Sequence, residues 1–202
     1  VFGDWSSDVC SSDLGKAGRT VSGALDNASG VVDILAAAKA MALSGIKLKR
    51  SVVFLFIGGE EVGLIGSKLF TSGKNYTSGK TITYINLDMV GNGTGLYVGA
   101  GSPYKELLTY FEEANRKYIH RPLRISAPVP GEYYGSPRSD EVVFRMAGYR
   151  TMSIYTTDTY KKVYYHLPGD DPDALTIEIM EDVAKMIYVA VTNMANDTSL
   201  KY

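Results

Sequence analysis

SVVFLFIGGEEVGLIGS, residues Ser51 to Ser67, is the stretch around which the chain can be ordered. Val52-Val53-Phe54-Leu55-Phe56-Ile57 is β-branched and aromatic without alternation, which predicts a strand buried on both faces, as in a sheet covered by helices. The run breaks at Gly58-Gly59 and delivers Glu60 and Glu61 to the strand's C-terminal end. In open α/β sheets ligands bind at that edge. Adjacent carboxylates repel, so a pair held there points to a cation or a proton-transfer task. A solvated loop that happens to contain Glu-Glu is the plainer alternative, and this stretch by itself does not exclude it.

The 202 residues are 45% hydrophobic with a formal net charge of −1, which suits one α/β domain with a full core. That balance gives no electrostatic case for nucleic acid or an anionic membrane. No apolar run reaches the ~18–20 residues of a transmembrane helix. Asp4 to Leu14, DWSSDVCSSDL, has neither helical nor strand period and resembles a translated sequencing adapter. Residues 1–14, with Trp5 and Cys10, are therefore read as a foreign segment and 15–202 as a partial domain, its N-terminal strands expected to be missing.

Outward from the Glu pair, the pattern alternates helices and strands. Val31 to Leu43 is Ala-rich and helical, capped by Asn27 or Ser29 and followed by Gly45. Asp26 precedes it, either as helix-dipole compensation or as a ligand on a loop. Leu64 to Phe70 is a short helix. Thr81 to Asp88 is a second buried strand ending in a carboxylate, and Leu96 to Val98 a third. Helices follow from Pro103 to Tyr118, with His120 beyond, and from Asp140 to Ala147, capped by Ser139. Strands are expected at Leu123–Ile125 and Arg150–Tyr155, and a last helix at Ile177–Met194. This alternation predicts a three-layer α/β/α sandwich with no second domain. Asp26, Glu60, Glu61, Asp88 and His166 fall at element ends, a donor set that suits hydrolytic zinc. Their wide separation makes spacing alone a weak indicator.

The local words GALDNASGVVDIL, FLFIGGEEVGLIGSKLF, NLDMVG, PRSDEVVFRMAGY and YYHLPGDDPDAL occur in order. By these the chain resembles the M28 family of zinc exopeptidases from about Gly15 to the last helix. The resemblance implies a mixed, mostly parallel sheet with helices on both faces and two zinc ions at its C-terminal edge in an intact parent. It implies Asp26 as bridging ligand, with a cis bond to Asn27. Glu60 would be the general base, Glu61, Asp88 and His166 metal ligands, and Tyr165 a donor to the tetrahedral intermediate. Arg138 and Asp140 would lie on the substrate side, a peptide with a free N-terminus being the substrate. Where the family has His after Ser-Asp, this chain has Glu141. The family's His-x-Asp word upstream of the bridging Asp has no counterpart, since no His precedes Asp26. The resemblance thus leaves Asp26, Glu61 and His166 for one ion but only Asp26 and Asp88 for the other, so one well-held zinc and impaired activity are expected.

A glutaminyl-cyclase-like acyltransferase and an inactive binding protein on the same scaffold are the alternatives to an aminopeptidase. The GALDNASG and EEVGLIGS words favour the peptidase. Tyr133, Tyr134 and Tyr155 could shape a pocket for an apolar N-terminal residue. Export to the periplasm or outside the cell is expected by analogy with bacterial peptidases of this type.

Overall fold

The computed structural model describes residues 21–73, 76–100, 104–126, 139–158 and 164–202. Its strands are β1 (Tyr84–Leu87), β2 (Gly95–Ala100), β3 (Leu123–Ser126) and β4 (Thr151–Thr157), and its α-helices α1 (Ser29–Leu43), α2 (Ile65–Ser72), α3 (Lys105–Ala114), α4 (Glu141–Met146) and α5 (Ile177–Asn196). The strands form one mixed sheet in the order β1–β4–β2–β3. β1 is parallel to β4, with Tyr84 opposite Thr151 and Leu87 opposite Ile154. β2 is parallel to β3 and antiparallel to β4, Tyr97 opposite Tyr155.

Side chains alternate across a strand, so the register sorts them into two faces. Leu87, Leu96, Val98, Met152 and Ile154 share one face and are buried with Ala37 of α1, Leu107 and Phe111 of α3, and Ile179, Val183 and Met186 of α5. The α5 residues recur at helical spacing, the stripe expected of a helix laid on a sheet. On the other face the Tyr84 ring stacks on Phe144 of α4 at 3.7 Å, and Phe70 of α2 lies 5.5 Å from Phe144. The open α/β sandwich is thus present, with α1, α3 and α5 on one side and α2 and α4 on the other. No helix among the described residues is long and apolar enough to cross a membrane.

The expected strand at Val52–Ile57 is a correction. The segment belongs to no strand and pairs with none among the described residues. Val53 is 47% exposed and Phe56 44%. A cavity of about 470 Å³, lined by Val52, Phe54, Ile57, Tyr84, Ile85 and Leu87, lies where a ladder to β1 would have to form. Composition predicted burial on both faces, but a strand also needs a partner backbone within bonding distance. What anchors the segment is Arg50: its guanidinium donates to the carbonyls of Met194, Asp197 and Leu200 at the end of α5. Of these only Met194 belongs to the last turn of α5, where helix carbonyls lack internal partners; Asp197 and Leu200 follow the helix. Other boundaries shift less: β1 starts at Tyr84 rather than Thr81, while the helix expected to reach Tyr118 runs on from α3 as a π-helical turn, Asn115–Ile119.

Candidate metal centre

Asp26 lies in the turn Ala24–Ala28 ahead of α1, with extended rather than helical dihedrals (φ −113°, ψ 94°). The Asp26–Asn27 peptide bond is cis, as the sequence resemblance implies. Asn27 and Ser29 connect this turn to the end of β1. Asn27 Nδ2 donates to Leu87 O at 2.8 Å, and its Oδ1 accepts from Gly30 and Met89 N–H at 3.2 Å each. Ser29 Oγ donates to Leu25 O at 2.7 Å and accepts from Val90 N–H at 3.1 Å. The words GALDNASG and NLDMVG are thereby held together, and with them Asp26 and Asp88. Gly30 is required here: a Cβ would fall 2.7 Å from both Asn27 Oδ1 and Leu87 O.

Glu60 and Glu61 stand on the turn that precedes α2. The Glu60 carbonyl accepts from Gly63 and Leu64 N–H at 3.0 and 2.8 Å, and Gly59 takes the positive φ (73°) that the turn requires. His166 arrives from the other end of the chain, itself at φ 56°, a conformation rare for non-glycine residues and concentrated at functional sites. Its Nε2 sits 2.7 Å from Glu61 Oε1 and 3.3 Å from Asp26 Oδ2. One ligand atom from each of Asp26, Glu61 and His166 lies within 4.8 Å of the others, the one such group among the described residues.

Asp88 is close by but outside that group. Burial raises its pKa, while the Ser139 hydroxyl, the Met89 N–H and the His166 charge pull it down. It is oriented by a relay: Tyr84 Oη donates to Asn86 Oδ1 (2.9 Å), Asn86 Nδ2 to Ser139 Oγ (2.9 Å), and Ser139 Oγ to Asp88 Oδ2 (2.8 Å). Ser139 therefore does not cap α4. Its hydroxyl is committed to Asp88, and Asp140 takes the N-cap position without a side-chain cap bond. Nothing local in sequence connects Asn86 and Ser139, which is why pattern reading missed the relay.

Glu60 is pushed up to about 8, first by burial and then by the charges of Glu61, Asp88, Asp140 and Asp26. Asp140 and Glu141 are likewise raised chiefly by burial, and neither Asp140 Oδ1 nor Glu141 Oε2 accepts a hydrogen bond among the described residues. Tyr165 is 54% exposed and stacks on the His166 ring at 3.7 Å. Burial and then the carboxylates of Asp26 and Glu61 push its phenol up to about 12, so it keeps its proton at neutral pH. Arg138, Tyr133 and Tyr134 lie outside the described residues. Tyr155 is 40% exposed and stacks on Tyr97 at 4.4 Å.

The donor set fits zinc. Ligand atoms about 2.0–2.1 Å from a tetrahedral ion lie roughly 3.3 Å apart, and two carboxylates with an imidazole are ordinary zinc ligands. The Asp26–His166 separation of 3.3 Å already has that value, and the Glu61–His166 pair is drawn in to hydrogen-bond distance, 2.7 Å.

The model of peptidase family M28 matches residues 8–191. Leupeptin-inactivating enzyme 1 of Streptomyces exfoliatus is 29% identical over 139 residues, covering 68% of this chain and 30% of that protein. The aminopeptidase of Aneurinibacillus sp. strain AM-1 superposes with a TM-score of 0.72 at 28% identity, covering 89% of this chain and 42% of that one. The LapA aminopeptidase of Legionella pneumophila gives a TM-score of 0.73 at 25% identity, covering 89% and 48%. The chain thus spans less than half the length of each of these three. With the family's words in order and its sheet and helices in place, the chain belongs to peptidase family M28.

Proposed function

We propose that the protein is a zinc-dependent exopeptidase that removes N-terminal residues from peptides. The observation that carries this is the convergence of Asp26, Glu61 and His166, whose ligand atoms meet although Glu61 and His166 are 105 positions apart. Asp26, Glu61 and His166 would hold one zinc well. Asp88 stands ready beside them, but the described residues offer it no imidazole for a second ion. Zinc, when bound, supplies a Lewis acid that polarises the scissile carbonyl and lowers the pKa of water to about 7.

Glu60 does the proton work. It is held next to the ligand Glu61 yet belongs to no ligand group, and its raised pKa suits a carboxylate that takes a proton from the attacking water and delivers it to the leaving amine. Tyr165 would donate to the developing oxyanion, a reading supported by its stacking on His166 and by a phenol that keeps its proton. The acidic wall of Asp88, Asp140 and Glu141 offers negative charge to the substrate's free α-ammonium, with Arg138 assigned to the same side. Export from the cytoplasm accompanies this assignment.

The test is zinc content together with hydrolysis of aminoacyl-arylamides. We expect about one tightly bound zinc per chain and turnover that falls at least ~100-fold in Glu60→Gln with zinc content unchanged. Two tightly held zinc ions would refute the single-site assignment. Near-parental turnover of Glu60→Gln would refute the assigned base.

A further inference from the structure

Between the Asp26 turn and the loop that presents His166 lies a carboxylate with no place in the chemistry above. Asp170 is 1% exposed. Its Oδ1 accepts from Leu25 N–H at 2.7 Å and its Oδ2 from Asp26 N–H at 3.0 Å. Its main-chain carbonyl accepts from Ala24 N–H at 3.2 Å, and its own N–H donates to Leu167 O at 3.0 Å. One residue therefore grips three successive amides of the Asp26 turn while being tied back to the residue after His166.

We propose that Asp170 is the positioning residue of this site: its carboxylate fixes the Asp26 side chain against the His166 imidazole by clamping the two backbone N–H groups of Leu25 and Asp26. Hydrogen bonds to an ionised acceptor are shorter and roughly twice as strong as neutral ones, and two parallel bonds fix direction as well as distance. The turn needs such a clamp. Asp26 and Asn27 have non-helical dihedrals inside an otherwise helical entry, so the turn's amides cannot all bond along the helix. Asparagine cannot replace Asp170, because its amide nitrogen would face a second N–H donor. Asp170 bonds none of the three ligand side chains, and its effect passes through the backbone of Ala24 to Asp26.

The proposal rests on the metal assignment for one of its readouts only. Asp170→Asn is compared with the parent and with Asp171→Asn, a control whose neighbouring carboxylate caps the turn Pro172–Ala174 by accepting from Asp173 N–H. The first readout is zinc affinity by competition and the visible spectrum of the cobalt-substituted protein. Asp170→Asn is expected to weaken zinc at least tenfold and to shift the cobalt bands, while Asp171→Asn does neither. The second readout needs no metal: in the metal-free protein, the Asp26 carboxyl carbon and the His166 ring resonances move in Asp170→Asn and stay in Asp171→Asn. If the parent binds neither zinc nor cobalt, the metal assignment fails and the resonances alone decide the role of Asp170. Should Asp170→Asn not fold, Asp170→Glu keeps the charge but displaces it by one methylene, and the same shifts are expected. Parental affinity, cobalt spectrum and resonances in a folded Asp170 variant would overturn the proposal.

Discussion

Asp33 lies on the buried stripe of α1 with Ser29, Gly30 and Ala37, 1% exposed, and its Oδ2 accepts no hydrogen bond among the described residues. Burial pushes its carboxyl up to about 8. The unfolded chain releases that proton near 3.9, so from about pH 4 to 8 the unfolded state binds fewer protons than the native one. Stability from this group is therefore complete below pH 4 and lost as pH rises towards 8. Asp33→Asn should flatten that decline. At pH 8 its melting temperature should exceed the parent's by on the order of 5 °C or more, with little difference at pH 4. Equal differences at both values would mean that Asp33 is not protonated in the native state. In the sequence Asp33 was invisible as a special residue, since one Asp in an Ala-rich helix reads as a solvated position. Glu60 and Glu61 were legible because an apolar run followed by Gly-Gly and two adjacent acids is an unusual local pattern. Asp170 and Ser139 were not, because each acts through a hydrogen bond to a residue far along the chain.

At the scale of elements, α1 begins against the end of β1, and the closeness of that approach is set by Gly30. Alanine there would improve helix propensity by about 1 kcal/mol. It would also place a Cβ 2.7 Å from the Leu87 carbonyl, which as backbone cannot swing aside, and 2.7 Å from Asn27 Oδ1. Overpacking of this kind costs about 1–3 kcal/mol or more, so Gly30→Ala should lower the urea midpoint despite the better propensity. Zinc affinity should fall with it, because Asn27 also bonds Met89, the residue after Asp88. A higher midpoint would show that the approach relaxes without cost. The elements whose signal was a local period, α1, α3, α5 and β4, were legible in sequence to within a few residues. Val52–Ile57 was misread for a reason at this same scale: its composition satisfies a buried strand, but its ladder depends on which backbone lies alongside.

Across the whole molecule, the proposed metal ligands Asp26, Glu61 and His166 join three distant parts of the chain, the turn before α1, the turn before α2 and the loop before α5. A ligand that binds only when these are assembled stabilises the folded state by mass action, about 2.7 kcal/mol at a free concentration 100 times Kd. For a chain of this size that is roughly 5–10 °C in melting temperature. We expect zinc to raise the melting temperature by this amount and a chelator to reverse it. Glu61→Gln should abolish the zinc-dependent part while leaving the metal-free value within about 2 °C. A zinc response that survives Glu61→Gln would place the bound ion elsewhere.

By itself the sequence determined the alternation of helices and strands, the acids at the element ends and the family. Those properties live in short windows, where period, glycine placement and collinear words suffice. That Asp26 and Glu61 join His166 was implied by the resemblance; only the tertiary structure decided how closely they meet, that Asp88 is steered by Ser139 rather than Ser139 capping α4, and that Asp170 holds the Asp26 turn. Each of these is a hydrogen bond or a near approach between residues tens of positions apart, and such distances are set by how the sheet and its two helical layers pack.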